Sequence, residues 1–277
     1  MAEKQKTNLA TVRFSSGVGN TLQIKFPPVK STSKSKIIFV NGHWNKFFGA
    51  LNFSPKGGGE IYWKTFLGNL KSFLKTANEY FNEYYSVEIS EIPIFADGSS
   101  LFGGDLNGNE RKAKGYEYAS KEFSNIIENI SQKDKIFLIS HSEGAAYSAG
   151  IAQYFMKNGI TIGESIMISA DEGDEFSVEG NYPCYQITAG YMKKDVGFVI
   201  DPIVGDHMVN GVSRYGKYIS HTEKGISVHG CLVNNNIFNL LRELKQIVVY
   251  EEWDKDGKIV FKNKIPASIS NHWYQVY

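Results

Sequence analysis

The sequence has few cysteines, no excess of either charge and no long apolar run. Cys184 and Cys231 are the only cysteines among 277 residues, which excludes a disulfide-dense scaffold but leaves open whether the two pair. The 30 Lys and Arg residues balance 29 Asp and Glu residues, for a net charge of +1. We therefore expect no nucleic acid partner, because electrostatic binding to a polyanion needs an excess of basic residues.

The chain also lacks the sequence features that direct a protein into or across a membrane. No apolar run approaches the roughly 18 residues that a transmembrane helix requires. Residues 1–9 (MAEKQKTNL) are charged and contain no apolar core, so we expect no signal peptide. The sequence predicts a protein made in the cytoplasm, and export by a route that reads no signal peptide stays open.

Apolar residues are numerous enough for a sizeable core, and their spacing alternates between two patterns. Hydrophobic residues make up 42% of the chain and aromatic residues 14%. Two runs of four apolar residues, Ile37–Val40 and Ile136–Ile139, are typical of strands buried on both faces. Elsewhere apolar residues recur with the 3.6-residue period of a helix, over 63–81, 110–130, 145–156 and 234–247.

This alternation predicts an α/β fold with a mostly parallel sheet and helices on both of its faces. Pairs of β-prone segments around turn residues predict a β-hairpin at each chain end, near 10–26 and 247–262. We expect a single domain over 1–277, made of an N-terminal hairpin and linker (1–35), a core (36–247) and a C-terminal hairpin and tail (248–277).

One pentapeptide carries the strongest chemical signal. Ser140-His141-Ser142-Glu143-Gly144 follows the second apolar run directly and precedes an alanine-rich helical segment. This is the nucleophile-elbow pattern G-x-S-x-G, with serine in place of the first glycine. Such a turn from strand to helix exposes the Ser142 hydroxyl above the sheet, and the backbone N–H of Glu143 is placed to donate to a developing oxyanion.

In this motif and its surroundings the sequence resembles the α/β-hydrolase superfamily, and within it lipases and esterases of the class 3 type. The resemblance spans about 36–247. It implies an oxyanion-hole loop at Val40–Trp44, in which the backbone N–H of His43 or Trp44 is the second donor. It also implies that the acid and the histidine of a triad follow Ser142 in that order.

The resemblance places the histidine of the triad in a loop beyond the last core strand and before the final helix. His229 occupies that place, after a short strand expected at Ile226–Val228. The other histidines that follow Ser142 are better explained as loop, surface or structural residues: His207, His221 and His272.

The acid is less sharply defined. The resemblance implies an acid just after the strand at Tyr185–Thr188, and Asp195 is the first one there. Asp201 is the alternative, because Asp201-Pro202-Ile203 is similar to a turn of class 3 lipases. Asp171 and Asp174 also stay open. No Cys or His pair has the spacing of a zinc site, and we expect neither a metal nor a cofactor.

Together these residues predict a serine hydrolase that cleaves carboxylic esters through an acyl-enzyme. The aromatic content and the apolar, glycine-rich segment 47–62, which is either a lid or a covering loop, favour lipid or phospholipid acyl esters and a transient membrane contact. A small-substrate esterase or thioesterase is one alternative, and a catalytically silent binding module is another. A secreted antibacterial effector, with an immunity protein or secretion partner, is a further hypothesis.

Overall fold

One large β-sheet organises the part of the chain that the structure describes. In this computed structural model that part comprises residues 11–13, 23–25, 34–43, 57–99 and 106–277. Its strands, in chain order, are β1 (Thr11–Arg13), β2 (Gln23–Lys25), β3 (Lys36–Asn41), β4 (Ile94–Asp97), β5 (Ile136–His141), β6 (Ile162–Ile168), β7 (Cys184–Lys193), β8 (Gly197–Ile200), β9 (Arg214–Ser220), β10 (Val248–Trp253), β11 (Ile259–Lys264) and β12 (Trp273–Val276).

The strand order across the large sheet is β12-β9-β7-β6-β5-β3-β4, and β8 pairs with β7. All neighbours from β4 to β9 are parallel, whereas β12 and β8 are antiparallel to β9 and β7. The prediction of an α/β fold with a mostly parallel sheet is confirmed, and the architecture is the one that the α/β-hydrolase resemblance implies. Parallel strands end at a common carboxyl edge, where open α/β sheets place their ligand sites.

Helices cover both faces of this sheet, as predicted. They are α1 (Gly59–Leu67), α2 (Leu70–Tyr85), α3 (Gly108–Ile126), α4 (Gly144–Lys157) and α5 (Ile237–Gln246). Successive strand residues point to opposite faces, so Phe39 and Phe137 pack with α1, α2 and α5. Val40 and Leu138 pack with α3 and α4 on the other face. This two-sided burial explains why the central strands are continuous apolar runs.

The hairpins predicted at both chain ends are present, β1 with β2 and β10 with β11. Each forms a two-stranded sheet of its own. Both cysteines are free thiols, Cys184 buried and Cys231 half-buried. Of the segment 47–62, residues 47–56 lie outside the described part, and helix α1 begins at Gly59. Within the described residues, no helix has both the length and the hydropathy needed to cross a bilayer.

The strand expected at Ile226–Val228 is wrong, because these residues belong to a 3-10 turn, Gly225–Gly230. Gly225 has a positive φ of 59°, and the Ser227 hydroxyl donates to the Lys224 carbonyl at 2.8 Å. Both features favour a tight local turn over an extended strand. The last parallel strand is therefore β9, and His229 lies in the turn that follows it.

Candidate active site

Ser142 lies in the turn between β5 and α4, at the carboxyl edge of the sheet. Its φ of 58° is in the left-handed region, which non-glycine residues rarely adopt. The Ser142 N–H donates to the Ile168 carbonyl at the end of β6, at 3.0 Å, and its carbonyl accepts the Ala145 N–H at 3.0 Å. A strained backbone that is held from both sides is typical of a functional turn.

The turn depends on close approaches that leave no room for side chains. A Cβ on Gly144 would lie 2.5 Å from the Val40 carbonyl oxygen, so α4 starts in contact with the end of β3. A Cβ on Gly42 would lie 2.8 Å from Ser142 Cβ and 2.9 Å from the Glu143 nitrogen. The loop after β3 therefore packs directly on the serine turn, which is the position of the expected oxyanion-hole loop.

Asn41 holds this loop in place. The residue is fully buried, and its amide nitrogen donates to the Gly42 carbonyl and to Asp97 Oδ1, both at 2.8 Å. Its amide oxygen accepts the Gly59 N–H at the start of α1, at 2.7 Å. One side chain thus joins the ends of β3 and β4 to α1. His43, the next residue but one, is exposed, and Trp44 lies outside the described residues.

The partly buried His229 and the buried Asp201 form a pair at the same edge of the sheet. His229 Nδ1 lies 2.8 Å from Asp201 Oδ2, and Asp201 is fully buried. The second carboxylate oxygen of Asp201 accepts the Ile203 N–H at 3.0 Å. Since an ionised carboxylate only accepts hydrogen bonds, Nδ1 carries the proton and Nε2 keeps a free lone pair.

The choice of Asp195 before Asp201 as the partner of His229 needs correction. Strand β7 continues to Lys193, turns tightly and returns as antiparallel β8. Asp195 lies at the tip of that turn, exposed and with a φ of 66°. The return strand brings Asp201 back beside Ala189, whose carbonyl accepts the Asp201 N–H at 3.0 Å. The alternative that the sequence left open, Asp201, therefore occupies the expected position of the acid.

The structure brings His229 to the serine turn without a direct hydrogen bond to Ser142. The rings of His229 and His141, the residue before the serine, lie 4.6 Å apart between centroids. Among the described residues, no hydrogen bond joins the Ser142 hydroxyl to His229. Such bonds are often long before substrate is bound and tighten in the reacting complex. The three residues of the candidate triad therefore lie at one edge of the sheet, and the His229 ring packs against the residue that precedes the serine.

The other acids weighed from the sequence have different surroundings. Asp174 is an exposed residue whose Oδ2 lies 3.7 Å from His207 Nδ1. Asp171 follows β6, and its Oδ1 accepts the Glu172 N–H at 2.9 Å. Burial raises the pKa of Asp171, although the nearby charge of His229 opposes that rise. Asp171 thus lies near the candidate triad, whereas Asp201 is the residue that makes the hydrogen bond to His229 Nδ1.

The sequence matches no protein-family model and no curated protein. Similar solved structures include a lipase-esterase related protein from Clostridium acetobutylicum, with 14% identity, a TM-score of 0.35, and coverage of 84% of this chain and 98% of that one. A hyperthermophilic esterase from the archaeon Pyrobaculum calidifontis has 9% identity and a TM-score of 0.31 over 66% of this chain and 64% of that one. A protein of unknown function from Agrobacterium tumefaciens, described as a candidate α/β hydrolase, has 13% identity and a TM-score of 0.30 over 65% and 70%. These likenesses are distant, and the α/β architecture rests on the strand order of the large sheet.

A buried ion-pair cluster surrounds the residue that follows the serine. Arg111, on α3, lies 2.9 Å from Glu143 Oε1 through Nη2 and 3.3 Å from Glu172 Oε2 through Nε. Burial raises the pKa of Glu172 to about 7, and the Arg111 charge opposes the rise. Because Glu143 directly precedes α4 and supplies the candidate oxyanion donor, this ion pair helps to fix the backbone position of that donor.

Sequence reasoning missed Asn41, Arg111 and Tyr62 as residues of this site. Asn41 and Tyr62 have a weak signal, a polar group in or beside an apolar segment, whereas Arg111 lies between the charged residues Glu110 and Lys112 and has none. Asn41 ends the run Ile-Ile-Phe-Val, and Tyr62 lies among the aromatic residues of α1. Their partners are 56 and 79 residues away in sequence, and a local pattern does not carry that pairing.

Within the described ranges, no cluster of three or more His, Cys, Asp or Glu side chains is arranged to hold a metal.

Proposed function

We propose that this protein is a serine hydrolase of carboxylic esters, with Ser142 as nucleophile, His229 as base and Asp201 as acid. The observation that carries the proposal is the hydrogen bond of His229 to the buried Asp201, at the sheet edge where Ser142 has the left-handed conformation. The order Ser, Asp, His along the chain is that of α/β hydrolases. Because triads are recognised by geometry and roles, this arrangement at the carboxyl edge supports acyl transfer.

Each residue has a defined step in the mechanism. His229 Nε2 takes the proton from the Ser142 hydroxyl as its oxygen attacks the ester carbonyl carbon, and Asp201 stabilises the resulting imidazolium. The backbone N–H of Glu143, at the positive end of α4, and an N–H of the loop after Gly42 stabilise the oxyanion. The imidazolium then protonates the leaving alcohol. Water, deprotonated by His229, hydrolyses the acyl-serine and regenerates the enzyme.

The substrate class we propose is an ester with an apolar acyl chain, such as a lipid or phospholipid. Two apolar residues in the segment that follows Asp201 are exposed, Ile203 at 42% and Met208 at 45%. Apolar side chains beside a reactive centre favour an apolar substrate group. A series of p-nitrophenyl esters from acetate to palmitate, with and without micelles, separates this class from a small-substrate esterase. Rising kcat/KM with chain length supports the lipid class, and a maximum at acetate contradicts it.

Covalent labelling by a fluorophosphonate probe tests the proposed nucleophile. We expect the wild-type protein to be labelled and Ser142→Ala to be unlabelled, because only an activated serine attacks the phosphorus. Ser148→Ala is the matched control, since Ser148 is a buried serine about one turn into α4, the helix that follows Ser142. It should be labelled like the wild type. A folded wild-type protein that resists the probe would support a silent binding module instead.

A further inference from the structure

His141, the residue before the candidate nucleophile, lies at the centre of a hydrogen-bonded chain that reaches the candidate base. His141 is fully buried at the end of β5. Its Nε2 lies 2.9 Å from the backbone carbonyl oxygen of His229. Its Nδ1 contacts the Tyr62 hydroxyl on α1. The rings of Tyr62 and Phe66 pack against the His141 ring, with centroids 5.8 and 5.3 Å away.

The partners determine which nitrogen of His141 carries the proton. A backbone carbonyl only accepts hydrogen bonds, so Nε2 must donate. Nδ1 then has only a lone pair and must accept, which makes the Tyr62 hydroxyl the donor. Burial, together with the neighbouring His229, lowers the pKa of His141 well below its ordinary range. The ring is therefore neutral and held in the Nε2–H tautomer.

We propose that His141 is a positioning residue, which ties the 3-10 turn carrying His229 to the strand carrying Ser142, and that Tyr62 holds it in the tautomer able to do so. This inference rests on the proposed function. The His141 bond joins the turn Gly225–Gly230 to the serine strand beside the reacting groups. A neutral ring at this position also does not oppose the imidazolium that forms on His229 during acyl transfer.

Replacing His141 should lower kcat far more than it changes KM. We expect His141→Leu to lower kcat by about 10²-fold, the usual effect of misplacing a catalytic group by about 1 Å. His141→Gln keeps a neutral side chain with a donor nitrogen and should recover at least tenfold of that loss. Tyr62→Phe should lower kcat by less than His141→Leu does. The variant that carries both changes should lose little more kcat than His141→Leu alone, because both residues act through one bond.

Tyr80→Phe is the matched control for Tyr62→Phe. Tyr80 is also a buried tyrosine with a hydrogen-bonded hydroxyl, here donated to Glu164, but it lies away from the serine turn. Removal of the Tyr80 hydroxyl should lower the melting temperature and leave kcat of the folded protein unchanged.

A direct readout is the ¹⁵N spectrum of the His141 ring, which should show the neutral Nε2–H tautomer in the wild type and a mixture of tautomers in Tyr62→Phe.

The outcomes separate this inference from the proposed function. If the fluorophosphonate probe does not distinguish wild type from Ser142→Ala, the proposed function fails and this inference with it. If the wild type is an active hydrolase and folded His141→Leu keeps its kcat, only the positioning role is overturned. Equal loss of kcat in the Gln and Leu variants, with a charged His141 ring in the spectrum, would overturn it as well.

Discussion

At the residue scale, the candidate triad depends on a carboxylate that solvent does not reach. Asp201 is fully buried, and its two oxygens are occupied by His229 and the Ile203 N–H. A buried carboxylate is stable in its charged form only when it is hydrogen-bonded in this way. Asp201 is thus prepared to stabilise the positive charge of His229, whereas the exposed Asp195 is screened by water.

The two aspartates give a direct prediction. Asp201→Asn should lower kcat by about 10⁴-fold, because the amide no longer holds the His229 tautomer and no longer stabilises imidazolium. Asp195→Asn, a matched change at the tip of the β7–β8 turn, should leave kcat within about twofold of the wild type. Steady-state kinetics on one ester measure both. The reverse ranking of the two variants would show that the contact at Asp201 is structural.

The sequence predicts some residues of the site and not others. The difference depends on how far along the chain the partners of each residue lie. Ser142 is predictable because a local pattern, a buried strand followed by small residues and a helix, defines its turn. His229 is predictable by its order along the chain. Asp195 was chosen before Asp201 because distance along the chain does not show that β8 folds back on β7. Asn41 and His141 act through bonds to residues more than 50 positions away, which no local pattern encodes.

At the element scale, one buried ion pair joins β6 to two helices. Glu164 is fully buried on β6, and Lys245 of α5 donates to its Oε2 at 2.7 Å. The hydroxyls of Tyr80 and Tyr85, both on α2, also donate to this carboxylate. The Lys245 ammonium lies 3.9 Å from the ring centroid of Tyr84. Three tyrosines of α2 thus surround one charge pair, which fixes α2 and α5 on the sheet.

Removing one charge of this pair should destabilise the protein strongly. Glu164→Gln leaves the ammonium of Lys245 buried without its counter-charge, so we expect the free energy of unfolding to fall by about 3–5 kcal/mol. The double change Glu164→Leu with Lys245→Met should recover much of that loss, because an apolar pair needs no compensation. Guanidinium unfolding measures these differences.

The control for Glu164→Gln is an ion pair between the same two helices on the surface. Glu83→Gln removes the partner of Arg242, whose Nη2 lies 2.8 Å from Glu83 Oε2, with side chains 49% and 28% exposed. Such a pair contributes at most about 1 kcal/mol. Equal losses at Glu164 and Glu83 would show that the buried pair is open to water.

The sequence predicts a helix or strand where neighbouring residues alone define its burial pattern. The same holds for the residues of the site. The 3.6-residue period over 63–81 predicts one helix, and the structure divides this segment into α1 and α2, with Gly68 and Asn69 between them. The apolar runs predict β3 and β5, which the structure has. Strand β9 was missed because it is buried yet polar. Lys217 donates to Asp206 at 2.6 Å and to the Tyr277 hydroxyl at 3.2 Å. A lysine in a buried strand is compatible with the fold only because these distant partners satisfy it, and the sequence around β9 does not show them.

At the scale of the whole molecule, the two ends of the sheet have different surroundings. The candidate triad lies at the carboxyl edge. Helix α5 runs from that edge to Ile247, whose carbonyl accepts a hydrogen bond from Arg214 at the amino end of β9. The β10–β11 hairpin therefore starts at the edge opposite the site, and its Trp253 is 74% exposed. Strand β12 then returns to the sheet and closes the outer side of β9.

A pair of tryptophans tests this arrangement. Trp273, on β12, is 2% exposed, and its indole N–H donates to Glu243 at 3.0 Å. Trp273→Ala should lower the free energy of unfolding by about 3–5 kcal/mol, since it leaves a cavity in the core. Trp253→Ala, on the exposed hairpin, should change the free energy of unfolding by less than about 0.5 kcal/mol and leave kcat unaltered, because the hairpin is remote from Ser142.

Chemical unfolding and ester hydrolysis measure the two variants side by side. A loss at Trp253 as large as that at Trp273 would mean that the Trp253 side chain packs against the body of the protein, and a loss of kcat there would mean that the hairpin reaches the site.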